Sequence, residues 1–177
     1  ATREVLKRIN QRSGRLLSFI DQYNQLNHLP PVKLSWFDIT SVITEAQAMT
    51  GKNVQISFQG DSQCYGDNEQ LAQILINLFK NSQEACLTNK CHININVWQQ
   101  KNTQCIEVID NGPGFINFEN VLTPFYTTKK SGSGIGLALC AEITNNHGGQ
   151  LEVCNHEQGG AKIKLTWPNQ QSINVGG

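Results

Sequence analysis

Apolar residues in the first part of the chain recur at helical spacing. Leu6, Ile9, Leu16, Ile20 and Tyr23, with Ser13 and Asn27 in the same register, are separated alternately by three and four residues. This predicts one helix over 3–27 with a heptad seam. Its opposite face carries Arg3, Lys7, Arg8, Arg15 and Gln22. A lone helix cannot bury such a seam, so it packs on a partner helix or on its own globular domain. The regularity of the seam, and the Pro30-Pro31 pair that cuts it off from the rest of the chain, favour association. LPPVKLSWF over 29–37 reads as a stiff linker. Asp38 can cap a helix that runs through Thr50 and is ended by Gly51.

The period then changes. VQISF at 54–58 alternates as a strand. Asp67 and Gln70 form a capping box that opens a long helix over 67–88. HININVW at 92–98 and QCIEVID at 104–110 alternate and predict a hairpin. Residues 115–133 read as a long loop with one short helix near 117–122. Residues 135–146 read as a helix closed by His147-Gly148-Gly149. QLEVC and AKIKLTW form a second hairpin around Gly159-Gly160, and the last ten residues are polar and frayed. Strands and helices mix without regular βαβ alternation, so the fold class is α+β in layers rather than a doubly wound sheet.

Composition narrows the function. The chain has 14 basic and 14 acidic residues, so no basic excess points to a nucleic-acid surface. No apolar run approaches the roughly 18–20 residues of a membrane span. The first residues read as a charged helix rather than a signal peptide. The cysteines Cys64, Cys86, Cys91, Cys105, Cys140 and Cys154 include no C-x-x-C pair, so a zinc site is not expected. Most lie in apolar periodic segments, where cysteine behaves as a small hydrophobe. They read as reduced, and the compartment as cytoplasmic.

The candidate chemistry lies in Asp110–Leu137. DNGPGF sets Asp110 against Gly112 and Gly114, and Gly132, Gly134 and Gly136 run into an apolar helical segment. An ionised carboxylate only accepts hydrogen bonds, which suits an exocyclic amine such as that of adenine. A glycine turn feeding a helix N-terminus presents free N–H groups and the positive dipole end to phosphate. The neighbouring helix carries Asn77 and Asn81 four apart, hence on one face. An amide oxygen is a hard neutral ligand that Mg²⁺ accepts beside nucleotide phosphates. DNGPG alone is also a good turn sequence, and each glycine cluster alone reads as a turn.

The order N-L-x-x-N, D-N-G-P-G-F, P-F-Y-T-T-K, G-x-G-I-G-L over Gln73–Leu137 resembles the ATP-binding domain of sensor histidine kinases, of the superfamily shared with gyrase, Hsp90 and MutL. The LPP junction and the PFYTTK box look most like the nitrogen-regulation type. The resemblance implies a two-layer α/β sandwich with a mixed, mainly antiparallel sheet, the Bergerat-type ATP-binding fold, preceded by one long helix. Residues 1–29 would be the second helix of a dimerisation hairpin, 30–168 the ATP-binding domain and 169–177 a tail. ATP and Mg²⁺ are implied as ligands, with Asn81 on the metal and Asn77 beside the phosphates. Asp110 would receive the adenine amine, with Gly112 and Gly114 giving close approach. Phe125 would pack beneath a mobile lid, Thr127–Ser133, that includes Thr128, Lys129 and Ser133. Gly132, Gly134 and Gly136 would wrap the phosphates, with Ile135 and Leu137 also in the nucleotide site. Lys80 and Lys129 are plausible phosphate contacts, though surface positions are the commoner fate of lysines.

Two departures sharpen the expectation. Where ATP-hydrolysing relatives place a glutamate base, this chain has Asn77, and an amide cannot activate water. Transfer to a better nucleophile, a histidine, is therefore expected over hydrolysis. None of His28, His92, His147 and His156 stands in a convincing acceptor context. The chain looks like a fragment whose acceptor helix lies outside it. The implied partners are that helix, a response-regulator receiver domain and a second copy of the full-length protein. The implied setting is the cytoplasmic part of a membrane-bound sensor. An ATPase of the same superfamily, or a nucleotide-responsive module without turnover, are the alternative readings.

Overall fold

The computed structural model describes residues 2–50, 54–86, 91–129 and 132–169. Helix α1 (Thr2–Asn27) leads through an extended segment to strand β1 (Ser35–Asp38) and helix α2 (Ile39–Thr50). Strands β2 (Val54–Gly60) and β3 (Gln63–Gly66) precede helix α3 (Asn68–Ala85). Then come β4 (Cys91–Gln100), β5 (Thr103–Asp110), helix α4 (Gly136–Asn146), β6 (Gln150–Asn155) and β7 (Ala161–Pro168).

The main sheet has the order β2-β4-β5-β7-β6. Its β2–β4 pair is parallel and the other pairs are antiparallel. Alternation in the sequence decides its faces. Cys91, Ile93, Ile95 and Val97 of β4 and Ala161, Ile163, Leu165 and Trp167 of β7 are buried. They join Leu71, Ile74, Leu75, Leu78 and Phe79 of α3, Leu139 and Ile143 of α4, and Val42 and Ile43 of α2 in one core. The residues between them face away, and Lys162 and Glu107 pair there at 2.7 Å. The result is the expected two-layer sandwich with a mixed, mainly antiparallel sheet.

Several expectations are refined. The stretch read as a linker contains β1, which pairs with β3 from Ser35↔Gly66 to Asp38↔Gln63. This ribbon is tied to the main sheet where the Trp167 indole donates to the Tyr65 carbonyl at 2.6 Å and Tyr65 N–H donates to Gln104 Oε1 at 3.1 Å. A strand of four residues, with half-exposed Trp36 and one partly buried residue, lacks the alternating run that marks the longer strands. Asp38 caps α2 through Thr40 N–H at 2.9 Å, as anticipated. Gly51 lies outside the described residues, as do 87 and 88 of the long helix, which is helical to Ala85. The short helix near 117–122 is a series of turns instead. Asn169, where the tail was expected to begin, is buried and donates from its backbone to the Asn102 carbonyl at 2.9 Å. Residues 170–177 lie outside the described residues.

The start of α3 is fixed by Asp67. Its Oδ1 accepts from Gln70 N–H at 3.0 Å, the first half of the capping box. The second half is absent: Asp67 N–H donates to His147 Nε2 instead, and the Gln70 amide nitrogen donates to the Pro30 carbonyl at 2.9 Å. Asp67 Oδ2 accepts from Lys33 N–H at 2.8 Å, and Asp67 N–H donates to His147 Nε2 at 3.1 Å. The Pro30–Lys33 segment is thus pinned to the helix pair α3 and α4. On α1, the seam residues Leu6, Ile9, Leu16 and Ile20 are exposed. Phe19 and Leu26 pack on the core instead.

Candidate functional site

Asp110 ends β5 and is only 8% exposed. Its Oδ1 accepts from Gly112 N–H and Ala161 N–H, each at 2.9 Å, and its Oδ2 accepts from the Ser82 hydroxyl at 2.9 Å. Residues from α3, from the turn after β5 and from β7 therefore converge on one carboxylate. A carboxylate has about four acceptor positions, so one remains for a further donor. Gly160 stands against the Asp110 carbonyl. It has φ +95°, and a Cβ there would lie 1.7 Å from that oxygen, so only glycine fits. Gly112 and Gly114 follow Asp110 in the loop, which Asn155 pins by accepting from Phe115 N–H at 2.7 Å and donating to its carbonyl at 3.0 Å.

The second cluster lies where α3 meets the start of α4. Asn77 is buried, and its Nδ2 has no hydrogen-bond partner among the described residues. Burial pushes the thiol of nearby Cys140 up to about 12, with the Asn77 amide opposing the rise. Asn81 Nδ2 lies 3.6 Å from the position a Cβ would take at Gly136. Asn81 Oδ1 accepts from Lys129 Nζ at 3.3 Å, and Lys129 pairs with Glu84 at 2.7 Å. That amide oxygen is thus oriented toward a cation. Helix α4 opens at Gly136 without a side-chain cap, which leaves its first N–H groups to a ligand or water.

The loop between the clusters is held at both ends. Phe125 N–H donates to the Gly134 carbonyl at 2.9 Å. Gly134 has φ +69°, and a Cβ there would lie 2.5 Å from the Phe125 carbonyl carbon. Phe125 itself has φ +70°, and its ring meets Phe19 at 5.7 Å and Tyr23 at 6.1 Å on α1. Gly132 N–H donates to the Lys129 carbonyl at 3.2 Å. Thr127 Oγ1 accepts from Lys129 N–H, and Ser133 Oγ from Ile135 N–H. Thr128 is exposed, Ile135 is fully buried, and Leu137 packs on the core. Residues 130 and 131 of the expected lid lie outside the described residues. Lys80 is exposed and makes no hydrogen bond or ion pair among the described residues.

The structure thus groups Asn81, Lys129 and Gly136, sets Asp110 with Gly112, and leaves Lys80 apart. Sequence reasoning missed Ser82, Glu84, Asn155 and Gly160. Ser82 follows Asn81 directly but carries no signal of its own. Gly160 was legible only as a turn residue, because its contact with Asp110 is nonlocal, like the Ala161 bond to Asp110 that spans 51 positions.

His147 has a structural environment. Its Nδ1 bonds the Ile143 carbonyl at 2.8 Å, Nε2 accepts from Asp67 N–H, and its ring meets Trp167 at 5.4 Å. Burial lowers its pKa, against the opposing effects of the Ile143 carbonyl and Asp67.

Comparison with known proteins bears on the fold and the family. A family model described as histidine kinase-, DNA gyrase B-, and HSP90-like ATPase matches residues 66–171. The sensory histidine kinase/phosphatase NtrB of Rhizobium leguminosarum bv. phaseoli is 30% identical over 98% of this chain and 51% of its own length. The nucleotide-free catalytic domain of histidine kinase ThkA is 25% identical, with a TM-score of 0.64 over 77% of this chain and 96% of that one. ThkA in complex with the response regulator TrrA shares the fold at a TM-score of 0.73, with 22% identity over 96% of this chain and 52% of that one. Fold and family together define an ATP-binding domain. The chain belongs to the histidine kinase-, DNA gyrase B- and HSP90-like ATPase family. It spans about half or less of the length of the curated relatives it matches. No described helix is long and apolar enough to cross a membrane.

Proposed function

We propose that this chain is the ATP-binding catalytic part of a sensor histidine kinase and that it transfers the γ-phosphoryl of ATP to a histidine outside the chain. The observation that carries the reading is the Asn81 amide oxygen, which already holds the Lys129 ammonium opposite the uncapped start of α4. A hard oxygen oriented to a cation, beside free helix N–H groups, fits a divalent metal with nucleotide phosphates.

In this reading Asp110 accepts the adenine amine at its remaining acceptor position, while Ser82, Gly112 and Ala161 fix the carboxylate. Magnesium bound with the nucleotide would neutralise phosphate charge during the transfer. Asn81 would hold it, the α4 N-terminus would receive phosphate, and Lys129 would exchange Asn81 for a phosphate oxygen. Thr127–Ser133 would be the lid, with Thr128 and Ser133 among its polar contacts. Asn77, an amide, cannot take a proton from water, so hydrolysis is disfavoured and placement of the γ-phosphoryl remains. Residues 1–29 are read as one helix of a dimerisation hairpin, 30–168 as the catalytic domain and 169–177 as a tail. The exposed seam of α1 supports a second helix there, and with it a homodimer in the full-length protein. A receiver domain as partner, and a cytoplasmic position within a membrane-bound sensor, come from the same reading.

The test is incubation with Mg²⁺ and γ-labelled ATP, with and without a separately made hairpin carrying the acceptor histidine. Acid-labile label should appear on the hairpin, only in trace amounts on the chain alone, and not with Asn81→Ala. Release of inorganic phosphate without labelled hairpin would favour the ATPase reading instead.

A further inference from the structure

We propose that Cys86 and Cys91 are a reversible disulfide pair, closed by a small-molecule disulfide such as oxidised glutathione, directly behind Asp110. Its effect on nucleotide rests on the reading above, but disulfide formation itself does not. Cys86 is the C-cap of α3 and is partly exposed, while Cys91 opens β4 and is 2% exposed. The Cys86 and Cys91 sulfurs lie 2.7 Å apart across five positions of sequence. A disulfide needs about 2.05 Å, so closure asks the sulfurs to move by less than about 1 Å. The other cysteines differ. Cys64, Cys105 and Cys140 are buried, and Cys154 is exposed with no thiol partner among the described residues.

The chemistry balances in two steps. The accessible Cys86 sulfur attacks one sulfur of oxidised glutathione, that disulfide bond breaks, and the first glutathione leaves as a thiol carrying the proton Cys86 gave up. Cys91 then attacks the Cys86 sulfur, the second glutathione leaves, and the Cys91 proton passes to it. Two protein thiols lose two electrons and one small disulfide gains them. Burial first, and then the neighbouring Cys86, pushes Cys91 up to about 12. It therefore stays a thiol while Cys86 reacts first, and the Cys86 contribution disappears in the mixed disulfide.

Closure reaches the nucleotide site through short contacts. Cys86 Sγ lies 3.4 Å from Asn111 Oδ1, which also accepts from His92 N–H at 2.9 Å. Ala85, the residue before Cys86, lies 3.5 Å from the Cβ position at Gly112. Cys91 is held in the sheet against Val54, so the end of α3 is the part that shifts. That shift moves Ala85 against Gly112 and, one turn back, Ser82 against Asp110.

The experiment equilibrates the chain over a series of oxidised-to-reduced glutathione ratios, alkylates the remaining thiols and maps peptides by mass. The expected result is an internal Cys86–Cys91 disulfide, two hydrogens lighter, at ratios where Cys154 is still largely free. Cys86→Ser should leave Cys91 reduced throughout. In a parallel titration with a fluorescent ATP analogue, the oxidised protein should bind about fivefold more weakly or worse. By reciprocity, saturating ATP should then oppose disulfide formation by the same factor. A Cys86–glutathione adduct that never resolves, or a pair still reduced when Cys154 is fully modified, overturns the disulfide. A disulfide that forms while ATP affinity stays the same overturns the coupling. Loss of ATP binding in both redox states counts against the nucleotide reading and leaves the peptide map to decide the disulfide.

Discussion

Lys129 Nζ lies 3.3 Å from Asn81 Oδ1, so a loop lysine holds the amide oxygen that the sequence marks as the metal ligand. The same ammonium pairs with Glu84 at 2.7 Å, with both side chains partly exposed. Such a pair contributes at most about 1 kcal/mol and is screened by salt. It is strong enough to bias the loop and weak enough for nucleotide phosphates to displace. Glu84→Gln should therefore speed amide exchange of Thr127–Lys129 without nucleotide by about twofold to fivefold. With Mg–ATP bound the variant and the parent should match. Equal exchange in both nucleotide-free proteins would remove the pair from any role in the loop.

Asp110 serves the fold and the proposed base pocket together, so the choice of substitution matters. Asp110→Ala strips the acceptor from Ser82, Gly112 and Ala161 and should both destabilise and abolish binding. Asp110→Asn keeps an oxygen for the two backbone donors, and the Ser82 hydroxyl can turn to accept. It should fold nearly normally yet bind ATP more weakly by roughly 1.5–3 kcal/mol, losing the adenine-over-guanine preference. Calorimetric titration with ATP and GTP decides this, and an unchanged preference would remove Asp110 from base recognition.

Gly134 is a steric prediction. With φ +69° and backbone atoms of Phe125 and Tyr126 within 2.7 Å of a Cβ, Gly134→Ala must break the Phe125 N–H bond or distort the loop. Backbone strain of this kind costs on the order of 1–3 kcal/mol. ATP binding should fall by at least tenfold while the melting temperature falls by several degrees and the fold is kept, because the core lies elsewhere. Tight ATP binding by this variant would mean that the glycine turn is not part of the site.

His147 predicts the acid limb of stability. Its folded pKa is lowered, so below the ordinary value of 6.5 the unfolded chain takes up a proton that the folded chain resists. The contribution of the neutral ring is present above that value and lost as pH falls below it, by at most about 1.4 kcal/mol per pH unit. Urea unfolding at pH 7.5 and 5.0 should show the loss, and His147→Gln should flatten it. An equal loss in the variant would assign the acid limb to other groups.

Legibility tracked the range of the interaction. The Asp38 and Asp67 caps, the period-2 runs of β4 and β7 and the helical run of α3 are local, and the sequence showed them. The ordered boxes from Asn77 to Leu137 pointed to the candidate site through their resemblance to a known family, not through the range of the contacts among them. The short strand β1 was missed because its pairing with β3 is nonlocal and nothing in SWFD alternates cleanly. The half-made capping box was missed for a similar reason: the Asp67 N–H goes to His147, 80 positions away. Ser82 and Gly160 entered the site only when the sheet brought α3, β5 and β7 to one corner.

That corner has a consequence for assembly. The partners of Asp110 come from 28 residues before it and 51 residues after it. No early hairpin can contain them, and closing such spans carries an entropic cost that grows with loop length. A partly folded form that sheds β6 and β7 loses the Ala161 donor and the Gly160 contact together. It should have no base pocket at all. ATP would then stabilise the chain against every opening that releases the C-terminal hairpin, but not against fraying of α1 alone. The last described strand would therefore make nucleotide binding a report on closure of the sheet rather than on the state of α1.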